Sequence, residues 1–288
     1  MTGTDSLHRF VFEVGGARGE LVQLDAAWRA VLDTHAYPAV VAEQLGEALA
    51  AASLLSASIK LAGSLVLQIQ GEGPLHLLVA QATARRTLRG LAHWRADVNQ
   101  GDLGTVFGSG RLAITIDVEG AERYQGIVAL QGENLAAALD GYFAQSEQLP
   151  TRLWLAANRQ RAAGLLLQRL PGGAFATDDW ERVVLLADTV SRKELLGLPR
   201  ESLLQRLFRE DDIRLFSPEP MAFRCGCTRE RMRLLLKTLG AGEVREILSE
   251  QGEVKAHCEY CNREYRFDQV DVAAIFAAAL PTPSRTQH

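Results

Sequence analysis

The chain has 288 residues, 47% hydrophobic and 23% charged, with 31 basic and 35 acidic side chains and a net charge of −4. That composition excludes wholesale disorder, a generally basic nucleic-acid binder and a polyacidic tail protein, and the length suits one large domain or two smaller ones. All four cysteines lie between Cys225 and Cys261, so nothing in the first 224 residues can form a disulfide.

Met1 to Arg9 has neither the basic start nor the apolar run of a secretory signal. No segment approaches the ~20 apolar residues of a membrane helix. The longest uninterrupted apolar run is Val272 to Leu280. The expectation is a cytoplasmic protein with no membrane partner, where clustered cysteines point to metal or redox chemistry more than to structural disulfides.

In chain order, Arg9–Leu24 is a mixed stretch, and Ala26–Asp33 precedes a turn at His35-Ala36-Tyr37-Pro38. Pro38 suits the first position of a helix running to about Leu61. Val41, Leu45, Ala48, Ala52, Leu55 and Ile59 repeat at three or four, as a core-facing stripe should. Strand-like runs follow at Leu65–Gln70, Leu75–Ala80, Thr87–Trp94, Leu112–Val118 and Tyr124–Leu130. Glu133–Gln148 reads as a helix; Leu153–Ala157 and Gly164–Leu170 read as strands, ending at Pro171-Gly172-Gly173. Consecutive strands with few helices between them predict a mainly antiparallel α+β domain over residues 1–172. Gly71-Glu72-Gly73 and Gly108-Ser109-Gly110 lack the third glycine and helix context of a dinucleotide site and read as hairpin turns. With no GxxxxGK[ST] run either, no nucleotide is expected.

Residues 173–220 read as a helical connector. Asp178 and Glu181 resemble a helix-start cap, Trp180–Val190 a helix, and shorter helical pieces break at Gly197 and Pro199. Trp180, Val183, Leu185, Leu186, Leu204, Leu207 and Phe208 are expected to cover the N-terminal sheet, as in ordinary helix–sheet packing. Ser217-Pro218-Glu219-Pro220 then breaks the chain before a small C-terminal module, 221–288. It carries helices at Arg229–Leu239, with Gly240 as a C-terminal cap, and Glu243–Ser249, then a hairpin. A last helix, Gln269–Leu280, has Asp268 at its N-cap.

Cys225-Gly226-Cys227 and Cys258-Glu259-Tyr260-Cys261 are separated by 30 residues. Two close pairs brought together by a fold are how four-cysteine zinc sites are built, because zinc takes four thiolates in a tetrahedron. Gly226, without a Cβ, lets the backbone bend sharply enough to aim both neighbours at one metal. Four buried small hydrophobes are the plainer reading, but chance rarely places every cysteine in two pairs. His257 is a substitute ligand only if one thiolate is absent. A structural zinc contributes on the order of 10–16 kcal/mol in small zinc peptides, against ~3–5 kcal/mol from a core this small. Loss of zinc would therefore unfold the module, wholly or in part. Oxidation removes thiolates from zinc. The four cysteines allow three disulfide pairings; nearness in sequence favours Cys225–Cys227 and Cys258–Cys261, but spacing alone does not choose.

The chain resembles the redox-regulated heat-shock chaperone family of about 33 kDa, the 33 kDa chaperonins. The resemblance is carried by Cys225-Gly226-Cys227-Thr228-Arg229-Glu230-Arg231 and His257-Cys258-Glu259-Tyr260-Cys261-Asn262. Upstream it rests on His35–Pro38, Gln68–Leu75, Tyr124–Val128 and Tyr142–Thr151. It implies one zinc ion held by Cys225, Cys227, Cys258 and Cys261 in a reduced, inactive form. It implies that peroxide or hypochlorite with heat forms Cys225–Cys227 and Cys258–Cys261, releases zinc and unfolds the connector. The surface so exposed would hold unfolding client proteins without ATP, as a dimer and with no catalytic residue. The client-binding residues are not readable. The family often has Ser where this chain has Thr228; both carry a hydroxyl.

Two other readings compete. A zinc-ribbon nucleic-acid regulator would use Arg224, Arg229, Arg231, Arg233, Arg263 and Arg266, but residues 221–288 hold 10 basic and 9 acidic side chains, a weak field for phosphates. Arg229 and Arg233 read better as a solvated helix face. A thiol oxidoreductase would use Cys258-Glu259-Tyr260-Cys261, but such motifs sit at a helix start beside a βαβ unit, and here a hairpin surrounds them. No Ser/His/Asp set can be assembled; His8, His35, His76 and His93 read as structural or exposed.

Overall fold

The computed structural model describes residues 5–57, 63–118, 120–146, 149–172 and 177–277. In chain order the elements are β1 (Ser6–Phe12), β2 (Ala17–Leu24), α1 (Ala26–Leu32), α2 (Ala39–Ser56), β3 (Gly63–Gly71), β4 (Leu75–Thr83), β5 (Thr87–Trp94), α3 (Leu103–Phe107), β6 (Gly110–Val118), β7 (Tyr124–Ala129), α4 (Leu135–Ser146), β8 (Thr151–Ala157) and β9 (Ala162–Arg169). There follow α5 (Thr177–Asp188), α6 (Arg192–Gly197), α7 (Arg200–Leu207), β10 (Ile213–Leu215), β11 (Glu219–Pro220), β12 (Ala222–Phe223), α8 (Arg229–Leu239), α9 (Ala241–Gln251), β13 (Val254–His257), β14 (Glu264–Phe267) and α10 (Gln269–Ala277). The expected helix ends at Leu61, Gln148 and Leu280, with Ile59 and Gly173, lie outside the described residues.

The protein is α+β, with largely antiparallel sheets and a cysteine cluster near the C-terminus. Contacts divide it into two units, Met1–Arg224 and Cys225–His288. In the first unit one sheet runs β10-β1-β2-β9-β8, with β11 also on β1, and the other β12-β5-β4-β3-β6-β7. Only the β12–β5 pairing is parallel among the described strands.

The first sheet is buried on both faces, and the alternation of its side chains sorts them. Leu7, Val22, Leu24, Leu153 and Leu166 join a core with α2 and the second sheet. Phe10, Phe12, Leu21, Leu165 and Leu167 face the other way, onto α5–α7. A sheet covered twice reads as continuous apolar sequence, which is why Ala162–Arg169 shows no polar face and why Arg9–Leu24 looked merely mixed. The second sheet keeps a half-buried alternation, with Leu65, Leu67 and Ile69 inward. Helix α2 touches strands of both sheets and is buried nearly all round, so the expected single stripe is only part of its contact surface. Among the described residues it is the one helix long and apolar enough to cross a membrane, and 78% of it is buried within the protein. Pro38 sits one residue earlier than expected, at the N-cap.

Gly19 shows how tightly the first sheet is packed: a Cβ there would lie 2.1 Å from the Phe10 ring. Gly108-Ser109-Gly110 is not a hairpin turn. It links α3 to β6, and Gly73 N–H donates to Phe107 O at 2.6 Å, an approach that leaves no room for a Cβ at Gly71 or Gly73.

The helices after β9 pack on the first sheet. Trp180, Val183, Val184 and Ala187 form a three-and-four stripe on α5, joined by Leu195, Leu203, Leu204, Leu207 and Phe208. Leu185 does not take part: it is 67% exposed. Asp178 and Glu181 lie inside α5; the capping box is instead Ser191 with Glu194, at the start of α6. Polar contacts stitch α6 down. Arg192 binds Glu43, Glu47 and the Ala157 carbonyl, and Gln23 donates to Leu195 O and Leu198 O. Both ends of this helical stretch meet the β1–β2 turn, Leu170 N–H on Gly16 O and Glu13 N–H on Asp212 O. The tract Ser217–Pro220, read as a break, carries β11.

The second unit packs α8, α9 and α10 with the β13–β14 hairpin. Its core is Leu236, Val244, Val254, Phe267, Val272 and Ile275. Asp268 caps α10 by accepting Asp271 N–H at 2.8 Å.

Candidate metal centre

Two tracts of the second unit carry its sulfurs. The first, residues 225–227, leads into α8. Thr228 caps that helix by accepting Arg231 N–H at 3.2 Å, which fixes where the helix begins and therefore where Cys227 stands. Arg231 also folds back and donates to Gly226 O at 2.6 Å. The expected sharp bend at Gly226 is not found: its φ is outside the left-handed region. A Cβ there would meet only Arg231 Nη1, at 3.2 Å. The second tract is the turn between β13 and β14. Cys261 and Asn262 donate their N–H groups to Cys258 O at 3.3 and 2.7 Å, and Cys258 N–H donates to Arg263 O at 3.0 Å. Asn262 closes the turn at φ +54°, a left-handed conformation asparagine tolerates.

The two tracts bring the sulfurs of Cys225, Cys227, Cys258 and Cys261 within 4.8 Å of one another. Two approaches cross between tracts, 3.5 Å for Cys225–Cys258 and 3.4 Å for Cys227–Cys261. All four are free thiols, with Cys258 buried and the others half-buried. Zinc–sulfur bonds of ~2.3 Å in a tetrahedron set sulfur–sulfur edges near ~3.8 Å, so the cage has the size for one such ion. Four soft sulfurs with no carboxylate in the group suit zinc over the harder divalent ions.

Three of the thiols are shifted by their surroundings. Burial pushes Cys258 up, and burial with hydrogen bonds to its neighbours pushes Cys261 up to about 12. Burial also works against Cys227, but hydrogen bonds from Tyr265 and the other three thiols outweigh it and bring that group to about 7. Cys227 gives up its proton readily while Cys258 and Cys261 hold theirs, as expected of thiols sharing one cage. A dication at the centre would replace those protons.

His257 does not reach the cage. Its ring pairs with Glu264 at 3.2 Å on the exposed side of the hairpin. The neighbouring arginines are engaged within the unit: Arg229 with Asp271 and over the Phe267 ring, Arg233 with Glu230, Arg266 with Glu264 and Glu253. Sequence reasoning missed Tyr265, whose hydroxyl donates to Cys227 Sγ at 3.1 Å. Its signal was only its place on a strand four residues past Cys261, and nothing in that spacing shows a bond across to the other tract.

Three comparisons bear on this unit and on the rest of the chain. The family model described as Hsp33 protein matches residues 5–268. The chain is 57% identical to the 33 kDa chaperonin of Nitrosococcus oceani over 100% of both chains. It is 43% identical to that of Shewanella frigidimarina over 98% of this chain and 99% of the relative. The crystal structure of the 33 kDa chaperonin from Thermotoga maritima superposes with a TM-score of 0.86, covering 96% of this chain and 99% of that one at 21% identity, a likeness of fold.

Proposed function

The chain belongs to the Hsp33 family of heat-shock chaperones, and from that premise we propose that it is a redox-regulated, ATP-independent holdase of the cytoplasm. The observation that carries this reading is the four-thiol cage in a unit whose core, among the described residues, is six apolar side chains. In the reduced form Cys225, Cys227, Cys258 and Cys261 hold one zinc ion, which cross-links the two tracts and supplies folding energy, not chemistry at a substrate.

Peroxide takes two electrons from each neighbouring pair of thiolates. A sulfur–sulfur bond forms, the oxygen–oxygen bond breaks, and two hydroxides leave. The pairs are Cys225–Cys227 and Cys258–Cys261. The cross-tract approaches depend on the cage, whereas residues two or three apart stay within ~7 Å in any compact turn. The second unit, which begins at Cys225 and not at the expected 221, then loses its fold, and the helices of the connector, 173–220, come off the sheet. That uncovers Phe10, Phe12 and Leu165 on a domain spanning 1–172, and Phe208 on the connector itself. Large apolar patches bind unfolded chains, and the active form is a dimer.

The test is zinc content and suppression of client aggregation, measured before and after peroxide at elevated temperature. Zinc release together with new activity is expected. Zinc retained, or activity unchanged by oxidation, overturns the reading. Cys225→Ser should abolish the response to oxidant. Salt-sensitive binding to nucleic acid would favour a zinc-ribbon regulator, against which the engaged arginines argue.

A further inference from the structure

The four sulfurs are not served alike. Cys258 accepts backbone N–H groups from Tyr260 and Cys261, and Cys261 accepts that of Arg263. Those donors belong to the turn itself. Cys227, in the other tract, is served by a side chain from across the unit: Tyr265 O–H donates to its sulfur at 3.1 Å. The Arg263 guanidinium in turn hydrogen-bonds the Tyr265 oxygen. Tyr265 stands on β14 and Cys227 just before α8, so this bond ties the hairpin to the Cys225–Cys227 tract by something other than the metal.

We propose that Tyr265 is a positioning residue that restrains oxidation of the Cys225–Cys227 pair, its hydroxyl occupying a lone pair of the Cys227 sulfur. This rests on the thiolate-cage reading above. The thiolate attacks a peroxide oxygen through a sulfur lone pair, breaking the oxygen–oxygen bond, and a thiolate that accepts a hydrogen bond is a weaker nucleophile. The Cys258–Cys261 pair keeps its backbone donors whatever stands at 265, so the two pairs answer differently to one substitution. Partners of this kind, outside the ligand shell, commonly change affinity or reactivity 10–100-fold when removed. Arg263 polarises the tyrosine hydroxyl and acts in the same direction with a smaller effect.

The experiment is Tyr265→Phe in the full chain, which keeps the ring and removes only the hydroxyl. Oxidation by peroxide is followed cysteine by cysteine, by alkylation and mass spectrometry. A roughly 10-fold faster closure of Cys225–Cys227, with the Cys258–Cys261 rate unchanged, is expected. The same chain loaded with Co2+ gives a second readout: loss of the hydrogen bond moves the thiolate-to-metal charge-transfer band to longer wavelength. Arg263→Ala should give the same changes at smaller size. Equal acceleration of both pairs means Tyr265 only supports the fold, and overturns the proposal. Unchanged rates and an unchanged band in Tyr265→Phe, with four-thiolate absorption in the parent, overturn it while leaving the cage reading intact. A parent chain that binds no metal overturns both.

Discussion

The larger unit fully buries Phe10, Trp28, Phe107 and Phe208 and contains no cysteine; among the described residues the smaller has a core of six apolar side chains, and it holds every cysteine of the chain. Helix α8 leaves Leu234, Leu235 and Leu239 exposed beside its one buried residue, Leu236. The first unit therefore spreads its stability over two sheets and a central helix, and no single side chain decides it. On the proposed reading the second would concentrate its stability at four sulfurs, where oxidation of each neighbouring pair would reach it. A chain built this way would be able to lose one part without losing the other.

The strongest way to break that contrast is to remove the metal. Chelation, or Cys258→Ser, should abolish amide-exchange protection in β13, β14 and α10 while β3, β4 and β9 keep theirs. A structural zinc is worth on the order of 10–16 kcal/mol, against ~3–5 kcal/mol for so small a core. Protection that survives in β13–β14 would mean the six apolar residues suffice.

A smaller effect tests the larger unit. Phe208 packs against the Phe12 ring at 5.3 Å and the Phe10 ring at 6.2 Å, where α7 meets the sheet. Phe208→Ala should cost ~3–5 kcal/mol and raise binding of an apolar-surface dye without oxidant. Leu185→Ala, on the exposed side of α5, should stay within about 0.5 kcal/mol. Similar effects from the two would show that the connector is not held by its buried face.

The smallest effect sharpens the contrast through pH. Glu47 lines a cleft of about 320 Å³ with Asp140, Arg152 and Arg192. Burial raises Glu47 to about 7, against the hydrogen bond and charge of Arg192, with Glu43 adding to the rise. Glu20 is likewise raised to about 7 and Asp140 to about 6, both by burial. An unfolded carboxyl titrates near ~4.3, so between these limits the folded state binds more protons. Stability of this unit should then fall as pH rises from about 4.3 to 7 and level off above. The proposed metal site should have the opposite slope, because sulfurs released from zinc would take up protons in acid. All four tryptophans lie in the larger unit, so denaturant midpoints by tryptophan fluorescence report it alone, while zinc retention reports the other. Slopes of the same sign would break the contrast; Glu47→Gln should flatten the first only.

Legibility in the sequence followed the physics of exposure. Strands β3 to β7 have one face less buried, and their alternation placed them within a few residues. The β1–β2 hairpin, covered on both faces by α2 and by α5–α7, has no polar period to read. Strands β10 to β12 are two or three residues long, too short for a period to appear. At the site, cysteine spacing was enough to find the cage, because a four-residue turn fixes two sulfurs locally. Tyr265 and Arg231 were not legible, since a bond from a hairpin to another tract, or from a helix back to the loop before it, leaves no mark on spacing.

The stretch between β9 and β10 begins and ends at the same corner, on either side of the Phe12–Ala17 turn. If its helices leave the sheet while β10 stays paired, residues 170–212 become a hoop with both feet on one edge. Its farthest point can stand off by half its contour, at most ~70 Å. The entropy given up by holding both feet grows only as the logarithm of its length. Such a hoop sweeps a large volume, keeps its apolar residues close to the face they have just left, and needs no search to find its way back.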